Sequence, residues 1–401
     1  MPTLLRKRIN TWRSEGIMVR VRLGIDLFME RYSGIIKGKR VGLLTNQTGA
    51  DSRLQSSIRL FHRHPDIQLT ALYAPEHGLK TYTKEGEKFS NTIHVETGLP
   101  VFSLYGQTKK PTKEMLEPVD VVVFDIQDIG SRYYTYIYSM LYMMEACKEN
   151  SKAMIVLDRP NPIGGTEVEG NLIQPDYKSF VGLYTLPARH GMTVGELAAY
   201  FNNSVGCQLT IIKMEGWERQ MLLSETGVSW IAPSPNTTSL DMMLLYPGTC
   251  LLEGTNLSEG RGTTQPFEVF GAPFINGVRL QDEVNALNLY GVVARDVSFK
   301  PTYSKFQDTV CEGIQLHVTD RHFFRPLETF VHVLNTVFRI YGEQLSFMEY
   351  EHLKHPMFDL LAGNNLLRTA LTGGNIEDYL EDCLKGSEQF LNDRHPYLLY
   401  R

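Results

Sequence analysis

Short apolar runs alternate with amphipathic stretches along the first half of the chain. The runs have the length and composition of buried strands, and the stretches between them carry apolar residues at helical spacing. The predicted strands are 40–45, 67–73, 119–124, 153–157 and 208–213, and the predicted helices are 52–62, 137–147 and 193–201. Strands that alternate with helices predict a parallel, doubly wound α/β sheet, and continuously apolar strands predict a sheet covered on both faces.

The second half of the chain has a different character. A stretch rich in Pro, Ser and Thr at 232–238 is typical of a crossing between domains. Beyond it, strand-like runs at 291–299 and 313–318 and a helical pattern at 327–341 indicate a smaller α+β domain. We therefore expect a doubly wound domain over residues 20–238, a smaller domain over residues 239–401, and a disordered extension over residues 1–19.

Composition narrows the class of protein. A chain of 401 residues is long for one core, so it predicts two domains or one large domain with an appendage. The net charge of −5 argues against a nucleic-acid partner, which normally requires a basic surplus. No apolar run approaches the roughly 18–20 residues of a membrane span. The basic N-terminus lacks the apolar segment of a signal peptide, so the sequence as written is expected to be cytoplasmic. The oligomeric state stays open.

Cysteine and histidine spacing gives little sign of metal or cofactor chemistry. The five cysteines are far apart and odd in number, which predicts buried reduced thiols. No H-E-x-x-H pattern or cluster of His and Cys is present, and no G-x-G-x-x-G follows the first strand. We therefore expect no metal and no cofactor. Asp125 and Asp128 are the one pair that could hold Mg²⁺, although Asp at a strand end is also a common helix cap.

Polar turns follow each of the first four predicted strands. They read NQTG (46–49), APEHG (74–78), DIQDIG (125–130) and DRPNP (158–162). Because ligands of open α/β sheets bind outside the carboxyl ends of the strands, these turns are expected to build one site. Ordinary turn formation accounts for the Gly and Pro residues, but less well for Glu76 and His77 or for the group Asp125, Gln127 and Asp128.

Carboxylates are the strongest candidates for catalysis, because no G-x-S-x-G nucleophile turn is present. Glu76 stands out, since it follows a proline directly after a buried strand. Burial at such an edge raises the pKa of a carboxyl group, as a general acid at neutral pH requires. The simpler interpretation of Glu76 is a helix cap or an ion-pair partner. The other candidate catalytic carboxylates are Asp128, Glu169, Glu253 and Glu259.

Candidate binding residues lie in the same motifs and in the glycine-rich run 253–263. Tyrosine rings with polar tips suit the apolar faces and hydroxyl groups of a sugar, although packing against the second domain would also place them there. The predicted binding residues are Asn46, His77, Asp125, Gln127, Arg132, Tyr133, Tyr134, Arg159, Asn161, His190, Asn236, Asn256 and Arg261.

Taken together, the motifs resemble the NamZ exo-β-N-acetylmuramidase family, formerly a domain of unknown function. The matching segments are GLLTNQTG (42–49), APEHG (74–78), FDIQDIGSRYYTY (124–136), LDRPNPIGG (157–165), EG (169–170), RHGMT (189–193), PSPN (233–236), the long run 246–274 and YLLY (397–400). The resemblance implies a Rossmann-like N-terminal domain, a smaller C-terminal domain and an active-site cleft between them. It also implies that Glu76 is catalytic. Many members of the family are exported, whereas this sequence has no signal peptide.

The function that the resemblance implies is release of N-acetylmuramic acid (MurNAc) from the non-reducing ends of MurNAc–GlcNAc oligosaccharides derived from peptidoglycan. Glycoside hydrolysis normally needs a second group beside the acid. That group is either a second carboxylate among Asp125, Asp128, Glu169, Glu253 and Glu259, or the N-acetyl group of the substrate, oriented by Asp128 or Asn236. The alternative functions are a non-catalytic muropeptide-binding protein and another hydrolase or esterase of cell-wall fragments.

MurNAc differs from GlcNAc by a lactyl ether that ends in a carboxylate, so selectivity for MurNAc calls for a cation. Arg261 is the best candidate, because the flanking Gly260 and Gly262 would let backbone amides approach the same anion. The alternative is that Arg261 forms an ion pair with Glu253 or Glu259 and orders the loop.

Overall fold

A seven-stranded sheet forms the centre of the N-terminal half. The computed structural model describes residues 21–81, 86–373 and 375–401, so the extension expected at residues 1–19 lies outside it. The strands are β1 (Arg40–Thr45), β2 (Gln68–Ala74), β3 (Thr92–Ile93), β4 (Pro100–Ser103), β5 (Val121–Asp125), β6 (Ala153–Leu157) and β7 (Gln208–Ile212). Their order is β3-β4-β2-β1-β5-β6-β7, and every neighbouring pair is parallel except β3 with β4. The strand order reverses between β1 and β5, which is the switch point of a doubly wound fold.

The strands are apolar on both faces because helices and loops cover both sides of the sheet. In β5, Val121 and Val123 belong to one apolar cluster while Val122 and Phe124 belong to the other. This alternation follows from the opposite directions of successive side chains in a strand. The helices of this half are α1 (Gly24–Leu27), α2 (Ser57–Arg63), α3 (Lys113–Leu116), α4 (Tyr136–Glu149) and α5 (Val194–Val205).

The second half contains a three-stranded antiparallel sheet with helices. Its strands are β8 (Val269–Ala272), β9 (Val292–Phe299) and β10 (Cys311–Val318), in the order β8-β10-β9. Its helices are α6 (Leu240–Thr249), α7 (Gly277–Asn285), α8 (Pro326–Tyr341), α9 (Met357–Ala362), α10 (Leu366–Gly373) and α11 (Glu377–Arg394). The predicted fold class, a doubly wound α/β sheet with a smaller α+β part, is confirmed.

The two halves share one apolar cluster. Phe124 and Tyr133 of the first half belong to the same set of buried side chains as Tyr246, Phe270 and Phe330 of the second. All five cysteines are buried and free, as the sequence predicted. No helix among the described residues has the length and apolar character to cross a membrane.

Candidate active site

Glu76 lies just beyond the carboxyl end of β2 and is largely buried. Its Oε1 accepts a hydrogen bond from Gly86 N (3.1 Å), and its Oε2 accepts one from Thr135 Oγ1 (2.8 Å). The Tyr105 hydroxyl also lies beside this carboxylate; burial, and secondly the charge of Glu76, raise the pKa of Tyr105. Glu76 is thus held by neutral donors, and among the described residues no lysine or arginine forms a salt bridge with it.

The chain turns sharply directly after Glu76. Gly78 N donates to Pro75 O (3.0 Å), and both His77 (φ 67°) and Gly78 (φ 72°) have left-handed backbone conformations. Such a conformation is uncommon for a residue with a side chain, and strained positions of this kind cluster at functional sites. The turn fixes the direction in which Glu76 leaves the strand.

Asp128 lies in the turn after β5, next to the switch point of the sheet. Its Oδ2 accepts from Gly130 N (2.7 Å), and His190 Nε2 is 3.5 Å from the same oxygen. Because His190 Nδ1 accepts from Met192 N (3.2 Å), a neutral His190 carries its proton on Nε2, which faces Asp128. Asp128 Oδ1 is buried and has no hydrogen-bond partner among the described residues. A buried acceptor without a donor is rare and calls for a functional explanation.

Glu76 and Asp128 both lie within electrostatic range of Tyr134. Burial is the main cause that raises the pKa of Tyr134, and the charges of Asp128 and Glu76 raise it further. Tyr134 is followed by Thr135, which binds Glu76. The structure therefore brings together two of the sequence-predicted catalytic carboxylates.

The other four carboxylates named from the sequence are each bound to a cation. The pairs are Asp125–Arg159 (2.7 Å), Glu169–Arg189 (3.0 Å), Glu253–Arg261 (2.7 Å), Glu259–Arg261 (3.1 Å) and Glu259–Lys305 (3.0 Å). Burial raises the pKa of Asp125, Glu169 and Glu253, while the arginine beside each acts in the opposite direction. These four side chains have the surroundings of structural ion pairs.

Arg261 stands between two carboxylates. Its guanidinium contacts both Glu253 and Glu259 and lies 4.9 Å from the centre of the Phe267 ring. This is the ion-pair arrangement that the sequence left as the alternative to recognition of a lactyl group. Its positive charge is already compensated by both of these carboxylates.

Several predicted binding residues hold the turns around the site. Asn46 Oδ1 accepts from Thr48 N (2.9 Å), and Gln127 Nε2 donates to Asp128 O and Pro160 O (2.7 Å each). Asn161 Nδ2 donates to Met192 O (3.1 Å). These amides fix the positions of the strand-end turns, and Gln127 and Asn161 do so by joining one turn to another segment.

Arg132 and Asn256 join segments that are distant in sequence. Arg132 is fully buried, and its guanidinium donates to the carbonyl oxygens of Asn171, Leu186 and Leu361. Arg132 therefore has no exposed surface that a substrate could contact. Asn256 bonds to Gln344 O (2.9 Å) and to the backbone N of residue 346 (3.0 Å). Neither residue is brought next to Glu76 by a contact of the structure.

Tyrosine rings form the seam between the two halves. The Tyr134 ring packs edge-on against Tyr136 (5.0 Å between centres) and Tyr246 (6.1 Å), and Tyr246 packs against Phe267 (4.8 Å). Tyr133 is also buried against Tyr246 (6.3 Å). Packing between the halves, the second interpretation from the sequence, is what these contacts show.

The crossing segment contacts both halves at the same seam. The Tyr136 hydroxyl donates to Pro233 O (2.5 Å), and the Tyr134 hydroxyl is 3.2 Å from Thr237 Oγ1. From the second half, Tyr303 donates to Asn236 Oδ1 (2.9 Å). The rings and the crossing segment thus connect the surroundings of Glu76 with the group around Arg261.

Four residues near these groups were missed from the sequence: Tyr105, Lys109, Thr135 and Lys305. Tyr105 and Lys109 follow the short β4, which the apolar pattern did not reveal. Thr135 lies inside the quoted motif SRYYTY (131–136), so its motif was a usable signal. Lys305 is far from Glu259 in sequence, so no sequence signal connected the two residues. Within the described ranges, no group of three or more His, Cys, Asp or Glu residues could hold a metal ion.

The fold and the site define a two-domain α/β protein with two carboxylates, Glu76 and Asp128, in turns at the carboxyl edge of its sheet. The chain belongs to the NamZ exo-β-N-acetylmuramidase family. The model of the family's N-terminal part matches residues 41–241, and the model of its C-terminal part matches residues 244–400.

Individual relatives cover almost the whole chain. The peptidoglycan β-N-acetylmuramidase NamZ of Bacillus subtilis (strain 168) is 47% identical over 384 residues, which are 95% of this chain and 92% of that protein. Two solved structures of DUF1343 family proteins from Bacteroides fragilis NCTC 9343 have the same fold. One has a TM-score of 0.88 and 38% identity, covering 96% of this chain and 100% of its own. The other has a TM-score of 0.73 and 29% identity, covering 95% and 99%.

Proposed function

We propose that the protein is a glycoside hydrolase that releases MurNAc from the non-reducing ends of peptidoglycan fragments. The observation that carries the proposal is the contrast among six carboxylates at the site. Asp125, Glu169, Glu253 and Glu259 are bound to arginines. Glu76 is held by two neutral donors, and Asp128 by Gly130 N, with His190 Nε2 3.5 Å from the same oxygen. Family membership and the activity named for the Bacillus subtilis relative support the same reaction.

Glu76 is assigned the role of general acid. Gly86 N and Thr135 Oγ1 fix the two carboxyl oxygens, so the proton is delivered from a defined position. In this role the protonated carboxyl donates to the glycosidic oxygen as its bond to the sugar breaks.

Asp128 is assigned the role of the second group. Its buried Oδ1 has no donor within the described part of the chain, and the acetamido N–H of an N-acetyl sugar is a donor of the required kind. An aspartate bound in this way orients the acetamido carbonyl oxygen towards the anomeric carbon. Direct attack by Asp128, or activation of a water, is the other way in which the same carboxylate would complete the pair.

The active site is proposed to lie between two domains that meet after residue 238. Support comes from the crossing segment, whose residues Pro233, Asn236 and Thr237 bond to side chains of both halves. A site shared in this way depends on both domains, as small-molecule sites at domain interfaces commonly do.

The test is incubation of the wild-type protein with the disaccharide MurNAc–GlcNAc and with longer oligosaccharides that begin with MurNAc. The expected products are free MurNAc and the remainder of each chain, without internal cleavage. Binding without release of MurNAc would indicate a non-catalytic muropeptide-binding protein. Cleavage of ester-linked wall fragments, with glycosidic bonds left intact, would indicate an esterase.

A further inference from the structure

A cavity lies beside Glu76, on the β4 side of the sheet. It has a volume of about 570 Å³ and is lined by the loop after β4 together with Gly86, Lys88 and Tyr142. Tyr105 and Lys109 of that loop form part of its wall. Gly86 and Tyr105 are also the residues that contact the Glu76 carboxylate, so the cavity and the proposed acid share two neighbours. We refer to this cavity as the lysine pocket.

Lys109 places its ammonium group against aromatic rings in the wall of the lysine pocket. Its ammonium group lies 3.7 Å from the centre of the Phe180 ring and 5.6 Å from that of Tyr105. Among the described residues, no carboxylate forms a salt bridge with it. Burial lowers the pKa of Lys109, while the charge of Glu76 acts in the opposite direction, which places the two groups within electrostatic range.

The neighbouring lysine shows how different this arrangement is. Lys110 Nζ is bound to Glu145 (3.1 Å) and Glu149 (2.6 Å) on helix α4. Two adjacent lysines of one loop therefore have different kinds of neighbour. The Lys110 ammonium is bound to two carboxylates, and the Lys109 ammonium lies on an aromatic face. An ammonium on an aromatic face keeps its attraction for an anion that approaches from the open side.

We propose that Lys109 binds the lactyl carboxylate of the MurNAc residue, so that the lysine pocket is the part of the site that distinguishes MurNAc from GlcNAc. This inference rests on the proposed function and adds to it the group that recognises the substrate. The cation expected from the sequence, Arg261, has its charge compensated by Glu253 and Glu259. Among the described residues Lys109 forms no salt bridge, and one carboxylate whose charge acts on it is that of Glu76, the proposed acid. Lys88, in the wall of the same pocket, increases the positive potential there.

Tyr105 connects recognition with catalysis. Its ring faces the Lys109 ammonium, and its hydroxyl lies beside Glu76. A lactyl carboxylate held by Lys109 would fix the 3-position of the sugar relative to the acid. Since reacting groups must be placed within fractions of an ångström, this contact is expected to act on substrate binding and on positioning together.

The test compares two substrates that differ at the lactyl group, which is charged in one and neutral in the other. One is a 4-nitrophenyl β-MurNAc glycoside with a free lactyl carboxylate, and the other is the same glycoside with the carboxylate converted to a methylamide. We expect Lys109→Met to lower kcat/KM on the free carboxylate by about 10-fold or more, as expected for loss of a charge-assisted hydrogen bond. The methylamide substrate should change little. Lys109→Arg, which restores the charge, should recover most of the difference.

Lys385→Met is the control, because it removes an ammonium that is paired with Glu381 on helix α11 and does not line the lysine pocket. It should leave the ratio of kcat/KM for the two substrates at the wild-type value. Melting temperatures of all variants exclude misfolding as the cause of a change. If Lys109→Met lowers kcat/KM equally for both substrates, or for neither, Lys109 does not bind the lactyl group and the inference is wrong. If the wild-type protein cleaves neither glycoside nor the disaccharide MurNAc–GlcNAc, the proposed function itself fails.

Discussion

Asp125 is the last residue of β5 and Asp128 lies in the turn that follows, yet the two carboxylates have different partners. Asp125 Oδ1 is bound to the guanidinium of Arg159 (2.7 Å), whereas Asp128 Oδ2 accepts from Gly130 N (2.7 Å). In each carboxylate the second oxygen has no hydrogen-bond partner among the described residues. The sequence identified both as candidates but could not separate them. Their partners, Arg159 and His190, are distant in sequence, and only the fold determines which carboxylate each partner reaches. Glu76 does lie buried at the end of a strand, as the sequence predicted, because that inference needed only the local pattern.

The first prediction concerns these two aspartates. Asp128→Asn keeps the shape of the side chain, so folding should be retained while kcat falls by about 10²-fold or more. Asp125→Asn instead leaves a buried arginine without its counter-charge, and should lower the free energy of unfolding by about 3–5 kcal/mol. Denaturant unfolding and steady-state kinetics on both variants check this. A stable Asp125→Asn protein together with a fully active Asp128→Asn protein would refute both assignments.

At the scale of elements, the apolar pattern predicted the long strands well and the short or irregular elements poorly. β1 and β6 have the predicted bounds, and β2, β5 and β7 differ by one or two residues. β4 has only four residues and begins with a proline, so no pattern marks it. Helix α6 contains Pro247 and Gly248, which usually end a helix. The glycine lets this helix pack closely on α8. A side chain at Gly248 would collide with Pro326 O (2.4 Å) and with Phe330.

The second prediction concerns the turn between β1 and α2. A Cβ on Gly49 would lie 2.0 Å from Thr45 Oγ1, 2.5 Å from Ser57 Oγ and 2.9 Å from Asp125 O. Gly49→Ala should therefore push the turn away from the end of β5, with a loss of about 1–3 kcal/mol in the free energy of unfolding.

Gly34→Ala is the control for this change, since nothing lies within 4 Å of a Cβ at Gly34. It should unfold at the wild-type denaturant concentration. Equal stability of the two variants would mean that the turn can move without cost, and that its packing does not fix the switch point of the sheet.

At the scale of the whole molecule, the end of the chain returns to the N-terminal half. The Tyr400 hydroxyl donates to Asp158 Oδ2 (2.5 Å), directly after β6. Asp158 also accepts from Thr193 Oγ1 (2.8 Å) and from Gly195 N (2.7 Å) at the start of helix α5. Both segments are recognisable as sequence motifs, but nothing in the sequence indicates that they meet, because 242 residues separate Asp158 from Tyr400.

The third prediction is a pH dependence of stability that comes from Asp158. Burial raises the pKa of Asp158 from 3.8 to about 7. The folded protein therefore binds a proton more tightly than the unfolded chain, so the stability contributed by this group falls as pH rises between the two values. The slope is at most about 1.4 kcal/mol per pH unit. Unfolding free energies of the wild-type protein and of Asp158→Asn, measured from pH 4 to pH 8, should differ by this slope. Parallel curves would contradict it.

The central claim is that this protein hydrolyses MurNAc glycosides with Glu76 as the acid. The most direct measurement is turnover of MurNAc–GlcNAc by the wild-type protein and by Glu76→Gln, which keeps size and hydrogen bonding but has no proton to transfer. We predict a loss of about 10²-fold or more in kcat. The loss should be smaller on a 2,4-dinitrophenyl glycoside, whose leaving group needs no protonation. Turnover of MurNAc–GlcNAc by Glu76→Gln near the wild-type rate would contradict the account.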